Sequence, residues 1–375
     1  MIVYDYIKLK IKDEIMNILY LINFAGKAGT EKYVLNLINS LKGMHNCHLA
    51  YSITGPLADS VKDMNLPVFQ FAMSNPLDIG AAKQLADYCR KNKIDIIHAQ
   101  YPRENCIALL SKIFYYKPKV IFTSHLTLEN VGTQWKILNK IFSPFNKKII
   151  SVCNYGKELL ISQGCKPEKI EVIFNGMTLD VSDVSPSTIR TELGIGREFV
   201  VVTLARYMEE KGLSFFVKSL HKLKQITDQP FKCLLVGDGE LYEEIKEEIK
   251  VLGMENEILQ LGFRNDVNNI LKGCDLFVNS AKCNEALSFA MLEAMSKALP
   301  LVATNVGGNS DIVNDETQVG ILVEYGDEDA MAKAISDMMN NKEFYKKMSE
   351  NAVRAVYGRF SYETMLKKTM DVYGI

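Results

Sequence analysis

Two carboxylates, Glu285 and Glu293, stand eight positions apart in the run Asn284-Glu285-Ala286-Leu287-Ser288-Phe289-Ala290-Met291-Leu292-Glu293, and Val306-Gly307-Gly308 follows closely. A carboxylate accepts two hydrogen bonds from adjacent hydroxyls, which suits it to gripping a sugar or a ribose. The order of acid, loop, helix with a second acid, strand and paired glycines fits such a grip, and it leaves bare backbone amides for a phosphate. Upstream, Arg206 ends the apolar run before it, and Lys211-Gly212 opens the next helical pattern. A guanidinium, an ammonium and free helix N–H groups at one spot make a diphosphate clamp. The simpler account is two surface cations beside Glu209 and Glu210.

Other positions carry weaker signals. Gly237 and Gly239 follow the apolar run Leu234–Val236 and let backbone approach a ligand, or they merely turn the chain. They are no dinucleotide fingerprint, because Tyr242 stands where the third glycine is needed. Gly26-Lys27-Ala28 is no phosphate loop, since Leu21 and Ala28 occupy the required glycine and hydroxyl positions. Gly29 precedes Thr30 and Glu31 at the start of the first helix; it turns amides outward, although ordinary helix-start chemistry explains the two residues after it. His98 and His125 each end an apolar strand, where a neutral imidazole reaches a ligand or simply completes the core. Asn175-Gly176 reads as a turn, or as the crossing between two domains.

These residues need elements to hold them. Short apolar runs alternate with helical patterns, which argues for parallel sheets covered by helices on both faces. The spacing predicts strands at Asn17–Ile22, His48–Ile53, Val68–Phe71, Ile94–His98, Val120–Thr123, Lys148–Val152 and Ile170–Phe174. A second set follows at Phe199–Leu204, Lys232–Val236, Ile258–Gln260, Leu276–Asn279, Leu301–Thr304 and Gly320–Val323. Between the sets, Thr178–Arg197 is rich in Ser, Thr, Asp and Pro. The chain thus divides into a loose extension at 1–15, a first domain at 16–180, a linker at 181–197, a second domain at 198–355 and a closing helix at 356–375. The last helical stretch, Lys342–Met370, should break at Gly358. Two such domains give one cleft to which the carboxyl ends of both sheets point.

Composition excludes several classes. A length of 375 residues with 47% hydrophobic and 24% charged residues suits two well-filled domains. A net charge of −1 provides no global field for nucleic acid. The eight cysteines form no C-x-x-C pair and sit mostly in apolar runs, so they read as reduced thiols of a cytoplasmic protein. No H-x-x-x-H pair marks a zinc site, and no run reaches the ~20 apolar residues of a membrane span. Met1–Glu14 lacks the unbroken apolar centre of a signal peptide. Lys112–Lys119, with Phe114, Tyr115 and Tyr116, would touch lipid if the acceptor were lipid-linked; a solvated helix end is the plainer account.

Taken in order, these motifs resemble the retaining glycosyltransferases of family 4, which have the GT-B fold: two Rossmann-like α/β domains facing an interdomain cleft. The resemblance runs from about Met16 to the end and is strongest from Arg206 to Gly308. Its features here are Arg206, Lys211-Gly212, Gly237 and Gly239, Glu285 to Glu293 with Ala294-Met295, and Val306-Gly307-Gly308. Ala28-Gly29-Thr30-Glu31, Ser124-His125 and Asn175-Gly176 match the first-half motifs. Departures are Ala28, Ala286 and Ser288 for glycines, Asp311 for a glutamate, and Met177-Thr178 for Val-Asp.

The resemblance implies that the second domain binds a nucleoside-diphosphate sugar, UDP-linked by family frequency. It implies that the first domain binds a glycan, lipid-linked or small-molecule acceptor. Arg206 and Lys211 would hold the diphosphate, Glu293 the ribose and Glu285 the transferred sugar. Backbone around Leu287, Ser288 and Phe289 would approach sugar and phosphate, and His125 would lie at the reaction centre. The closing helix would cross back to the first domain. No metal and no other cofactor is expected, and the departing phosphate itself would take the acceptor proton. The implied setting is cell-surface polysaccharide or glycoconjugate synthesis, in the cytoplasm or at the inner face of the membrane. A sugar-nucleotide epimerase of the same architecture and a non-catalytic sugar-nucleotide-binding partner subunit are the alternatives.

Overall fold

The computed structural model describes residues 15–125, 131–177, 185–283 and 285–375. Two compact units emerge: Met1–Asn175 together with Glu363–Ile375, and Gly176–Tyr362. The extension Met1–Glu14 lies outside the described residues.

The first unit is built on seven strands: β1 (Asn17–Phe24), β2 (Asn46–Ile53), β3 (Val68–Gln70), β4 (Ile96–Ala99), β5 (Lys119–Ser124), β6 (Lys148–Ser151) and β7 (Ile170–Val172). They pair in parallel in the order β3-β2-β1-β4-β5-β6-β7. The central strand β1 is apolar without alternation because helices cover both faces, and Ile18 to Ile22 are fully buried. The helix Gly29–Leu41 returns the chain to the sheet and buries Val34, Leu37, Ile38 and Leu41, as its spacing predicts.

The second unit repeats the plan with β8 (Phe199–Leu204), β9 (Phe231–Val236), β10 (Ile258–Gly262), β11 (Leu276–Asn279), β12 (Leu301–Thr304) and β13 (Gly320–Val323). The order is β10-β9-β8-β11-β12-β13, again parallel. In each sheet the first strand lies between its successor and the fourth strand, and loops diverge at that switch point to leave a crevice at the strand carboxyl ends.

Of the stretch between the strand sets, 178–184 lies outside the described residues. Beyond it, Ile189–Glu192 forms a short helix on the second unit. Arg190 is fixed there by its 2.6 Å pair with Asp275 and its 2.8 Å bond to the carbonyl of Gly273. The chain enters and leaves the second unit through adjacent passages. Met177 N–H donates to the carbonyl of Phe360 and Tyr362 N–H to that of Met177. Gly176 allows this approach, since a Cβ there would meet the Ser361 carbonyl oxygen at 2.6 Å. Gly358 separates the helices Lys342–Tyr357 and Tyr362–Tyr373.

All eight cysteines are free thiols, seven of them buried. Among the described residues no helix is long and apolar enough to cross a membrane.

Candidate active site

At the switch point of the second sheet, the loops after β8 and β11 come together. Lys211 ends a tight turn, Glu209–Lys211, before the helix Leu213–Ile226. Its Nζ donates to Oε2 of Glu285 at 2.7 Å. The loops are fastened on both sides of this pair: Ser280 Oγ donates to the Lys211 carbonyl at 2.8 Å, and Lys282 N–H donates to the Glu210 carbonyl at 2.8 Å. Gly212 makes the approach possible. Its φ is +60°, and a Cβ would stand 2.2 Å from the Ser280 carbonyl oxygen. The cleft beside the pair, bordered by Asn279, Ser280 and Ser288, measures about 20 Å³. That holds one water and no sugar, so a larger ligand meets the pair from its open side.

Glu285 is held from behind by the paired glycines. Gly308 N–H donates to the Glu285 carbonyl at 3.0 Å. Gly307 adopts φ +56°, where a Cβ would stand 2.0 Å from that oxygen. The sequence left both glycine amides bare for a phosphate; the amide of Gly308 is instead spent on positioning the acid. Gly307→Ala should therefore cost roughly 1–3 kcal/mol of stability and displace Glu285. Urea unfolding measures this, and a midpoint equal to wild type would show that the contact is not needed.

The second acid, Glu293, is half-buried on the helix Phe289–Ser296. Ser288 caps this helix, its Oγ facing the N–H of Met291 at 3.5 Å, while the Leu287 side chain is buried in the core. Phe289 opens this helix. Arg206 is exposed just past β8, and its guanidinium has no hydrogen-bond or ion-pair partner among the described residues. Gly237 and Gly239 lie against its loop. Their φ values are +137° and +155°, and a Cβ would meet the carbonyl oxygens of Ala205 and Tyr207 at 1.9 and 2.6 Å. They act locally to seat the Arg206 loop.

In the first unit, a cavity of about 630 Å³ opens at the carboxyl ends of β1, β4 and β5, and His125 and Glu31 line it. Glu31 Oε2 accepts from Ala28 N–H at 3.1 Å, and Gly29 is exposed at the start of the same helix. His125 Nε2 bonds Oε1 of Gln100 at 3.0 Å, while Gln100 Nε2 donates to the His98 carbonyl at 3.0 Å. The carbonyl orients the amide, so His125 carries its proton on Nε2 and leaves Nδ1 as an acceptor. His98 is fully buried; its nitrogens meet the hydroxyls of Tyr373 and Thr123 at 2.7 Å each, which makes it a core residue. Gln100 gave no signal in sequence, because only the fold places it beside His125.

Burial pushes both His98 and His125 down to about 3, with the neighbouring His125 adding to the effect on His98. Burial also lowers His45 and His48. His98 and His125 stay neutral when folded but protonate near 6.5 when unfolded. Their contribution is thus complete above pH 6.5 and drains away as pH falls toward 3. The unfolding free energy from urea titration should drop steadily from pH 7 to 5, by at most about 1.4 kcal/mol per pH unit for His98, and His98→Gln should flatten that slope. An unchanged slope in the variant would contradict the reading of His98.

Among the described residues, no group of three or more His, Cys, Asp or Glu is placed to hold a metal ion.

The family model described as Glycosyltransferase Family 4 matches residues 28–181, and that described as Glycosyl transferases group 1 matches residues 187–355. An Escherichia coli UDP-Gal:alpha-D-GlcNAc-diphosphoundecaprenol alpha-1,3-galactosyltransferase is 27% identical over 92% of this chain and 89% of its own length. The N-acetyl-alpha-D-glucosaminyl L-malate synthase of Bacillus anthracis is 26% identical over 82% of this chain and 80% of its own. Among solved structures, a Rickettsia africae glycosyltransferase superposes with a TM-score of 0.84 at 23% identity, covering 96% of this chain and 98% of that one. Anabaena HepE in complex with UDP gives a TM-score of 0.84 at 22% identity, covering 96% and 100%. The two sheets are therefore the Rossmann-like pair of the GT-B fold, and the chain belongs to the family 4 glycosyltransferases.

Proposed function

We propose that this chain moves a sugar from a UDP-linked donor to an acceptor hydroxyl, with retention of configuration and without a metal ion. The observation that carries the reading is the Lys211–Glu285 pair at the switch point of the second sheet. It joins a diphosphate-binding cation to a hydroxyl-binding acid at the place where open α/β sheets take ligands. Arg206 and Lys211 face the pyrophosphate, Glu293 the ribose and Glu285 the transferred sugar, with the backbone around Leu287–Phe289 approaching sugar and phosphate. As the bond from the anomeric carbon to the phosphate oxygen breaks, charge grows on the diphosphate, and fixed cations stabilise it. The acceptor oxygen bonds the same face of that carbon, and its proton passes to the departing phosphate oxygen. His125, neutral and held by Gln100, borders the first unit's cavity and supplies a hydrogen bond without a charge.

The names of the relatives support a nucleotide-sugar donor. Anabaena HepE has also been solved with UDP-glucose. The same names differ on the acceptor, a sugar on a lipid diphosphate in one and malate in the other. The setting would be glycoconjugate synthesis in the cytoplasm, at the membrane face where the acceptor is lipid-linked. A thermal-shift screen of UDP, GDP and ADP tests the donor, because a ligand stabilises by mass action. A clear rise in Tm with UDP is expected, and a response to none of the three would contradict the proposal.

A further inference from the structure

The cavity of the first unit contains groups that the reaction as described does not use. Arg103 and Glu104 open the helix Pro102–Ser111, which follows β4. Glu104 is fully buried yet borders the cavity. One of its oxygens, Oε1, takes a 3.3 Å bond from Nη2 of Arg103. The backbone N–H groups of Asn23 and of Glu104 itself also lie close to this carboxylate, but among the described residues Oε2 makes no well-formed hydrogen bond, and neither does the buried Nε–H of Arg103. An orphan acceptor and an orphan donor on adjacent residues are costly to bury. They are satisfied together by groups that both donate and accept, which hydroxyls do and phosphates or carboxylates do not.

Charge points the same way. Among the described residues that line the cavity, Arg103 is the one permanent cation, and its Nη2 is already turned to Glu104, while Glu31 and Glu104 are acids. Among those residues an anionic ligand finds two acids and no second cation. Trp135, on the helix Thr133–Phe142, adds an aromatic wall, and Asn23 adds an amide at the end of β1. Acid, amide and aromatic face around about 630 Å³ suit a hydroxylated ring of one or two units.

We infer that this cavity seats the acceptor, and that the receiving end of the acceptor is a neutral sugar ring whose hydroxyls engage Glu104 and Arg103 beside Trp135. The inference rests on the glycosyl-transfer reading and narrows it: small organic acids and glycerol phosphates are excluded as the receiving end.

Trp135 is the chain's only tryptophan, so its fluorescence reports on the cavity. The full-length protein, with saturating UDP, is titrated with methyl α-D-glucopyranoside and methyl N-acetyl-α-D-glucosaminide, and separately with L-malate and glycerol 3-phosphate. At least one glycoside should give a saturable change in the millimolar range, weakened tenfold or more in Glu104→Gln. Arg103→Lys, on a half-buried side chain, should show the same loss and serves if the first variant does not fold. Saturation by L-malate or glycerol 3-phosphate alone, no response to either glycoside, or equal glycoside affinity in a folded variant each overturns the inference. UDP binding is followed by thermal shift in the same samples. Failure of UDP to bind sinks the transferase reading itself, whereas UDP binding without a glycoside response sinks only the acceptor assignment.

Discussion

Lys211→Ala should lower kcat at least about 100-fold, the usual consequence of removing one preorganised group that stabilises developing charge. The departing diphosphate has two side-chain cations assigned to it, and of these Lys211 is the one fixed in place by Glu285. The substitution also leaves Glu285 without its counter-ion. Breaking a fully buried pair costs about 3–5 kcal/mol, but the Lys211 side chain is 25% exposed, so a smaller loss is expected here. Against a typical stability of about 5–15 kcal/mol, the variant should stay folded, and circular dichroism at the assay temperature confirms it. A folded variant with near-normal turnover would remove Lys211 from the diphosphate clamp.

Glu285→Gln should separate sugar from nucleotide. Hydrogen bonds that hydroxyls donate to a charged carboxylate contribute about 1.5–3 kcal/mol each, which corresponds to roughly 10- to 100-fold in rate per lost bond. Transfer should therefore fall about 30-fold or more. UDP lacks the transferred sugar, so its Kd should shift by no more than a few-fold. Calorimetry with UDP and initial rates with the UDP-sugar measure the two effects on one preparation. Equal losses in both would place Glu285 at the nucleotide and not at the transferred sugar. The double variant with Lys211→Ala should lose less than the two single losses combined, because the residues share one contact.

Much of this architecture was legible beforehand. All thirteen strands lie where the apolar runs put them, since helices cover both faces of each parallel sheet and leave no polar alternation to obscure the signal. The helix break at Gly358 was equally plain. What the sequence withheld depends on strand order. Lys211 and Glu285 are 74 residues apart and meet because β8 pairs with β11, a neighbour that alternation alone does not specify. The paired glycines showed their flexibility but not their target, which is the carbonyl of Glu285. Arg103-Glu104 carried one overlooked signal: two charges in the first turn of an otherwise apolar helix, where burial calls for a partner.

The most direct measurement is a crystal structure of the chain with UDP. The β-phosphate should lie within about 3 Å of Lys211 Nζ, with the Arg206 guanidinium turned toward it and the ribose hydroxyls on Glu293. UDP bound elsewhere, or bound there with Lys211 still closed on Glu285 and away from the phosphates, would contradict the clamp.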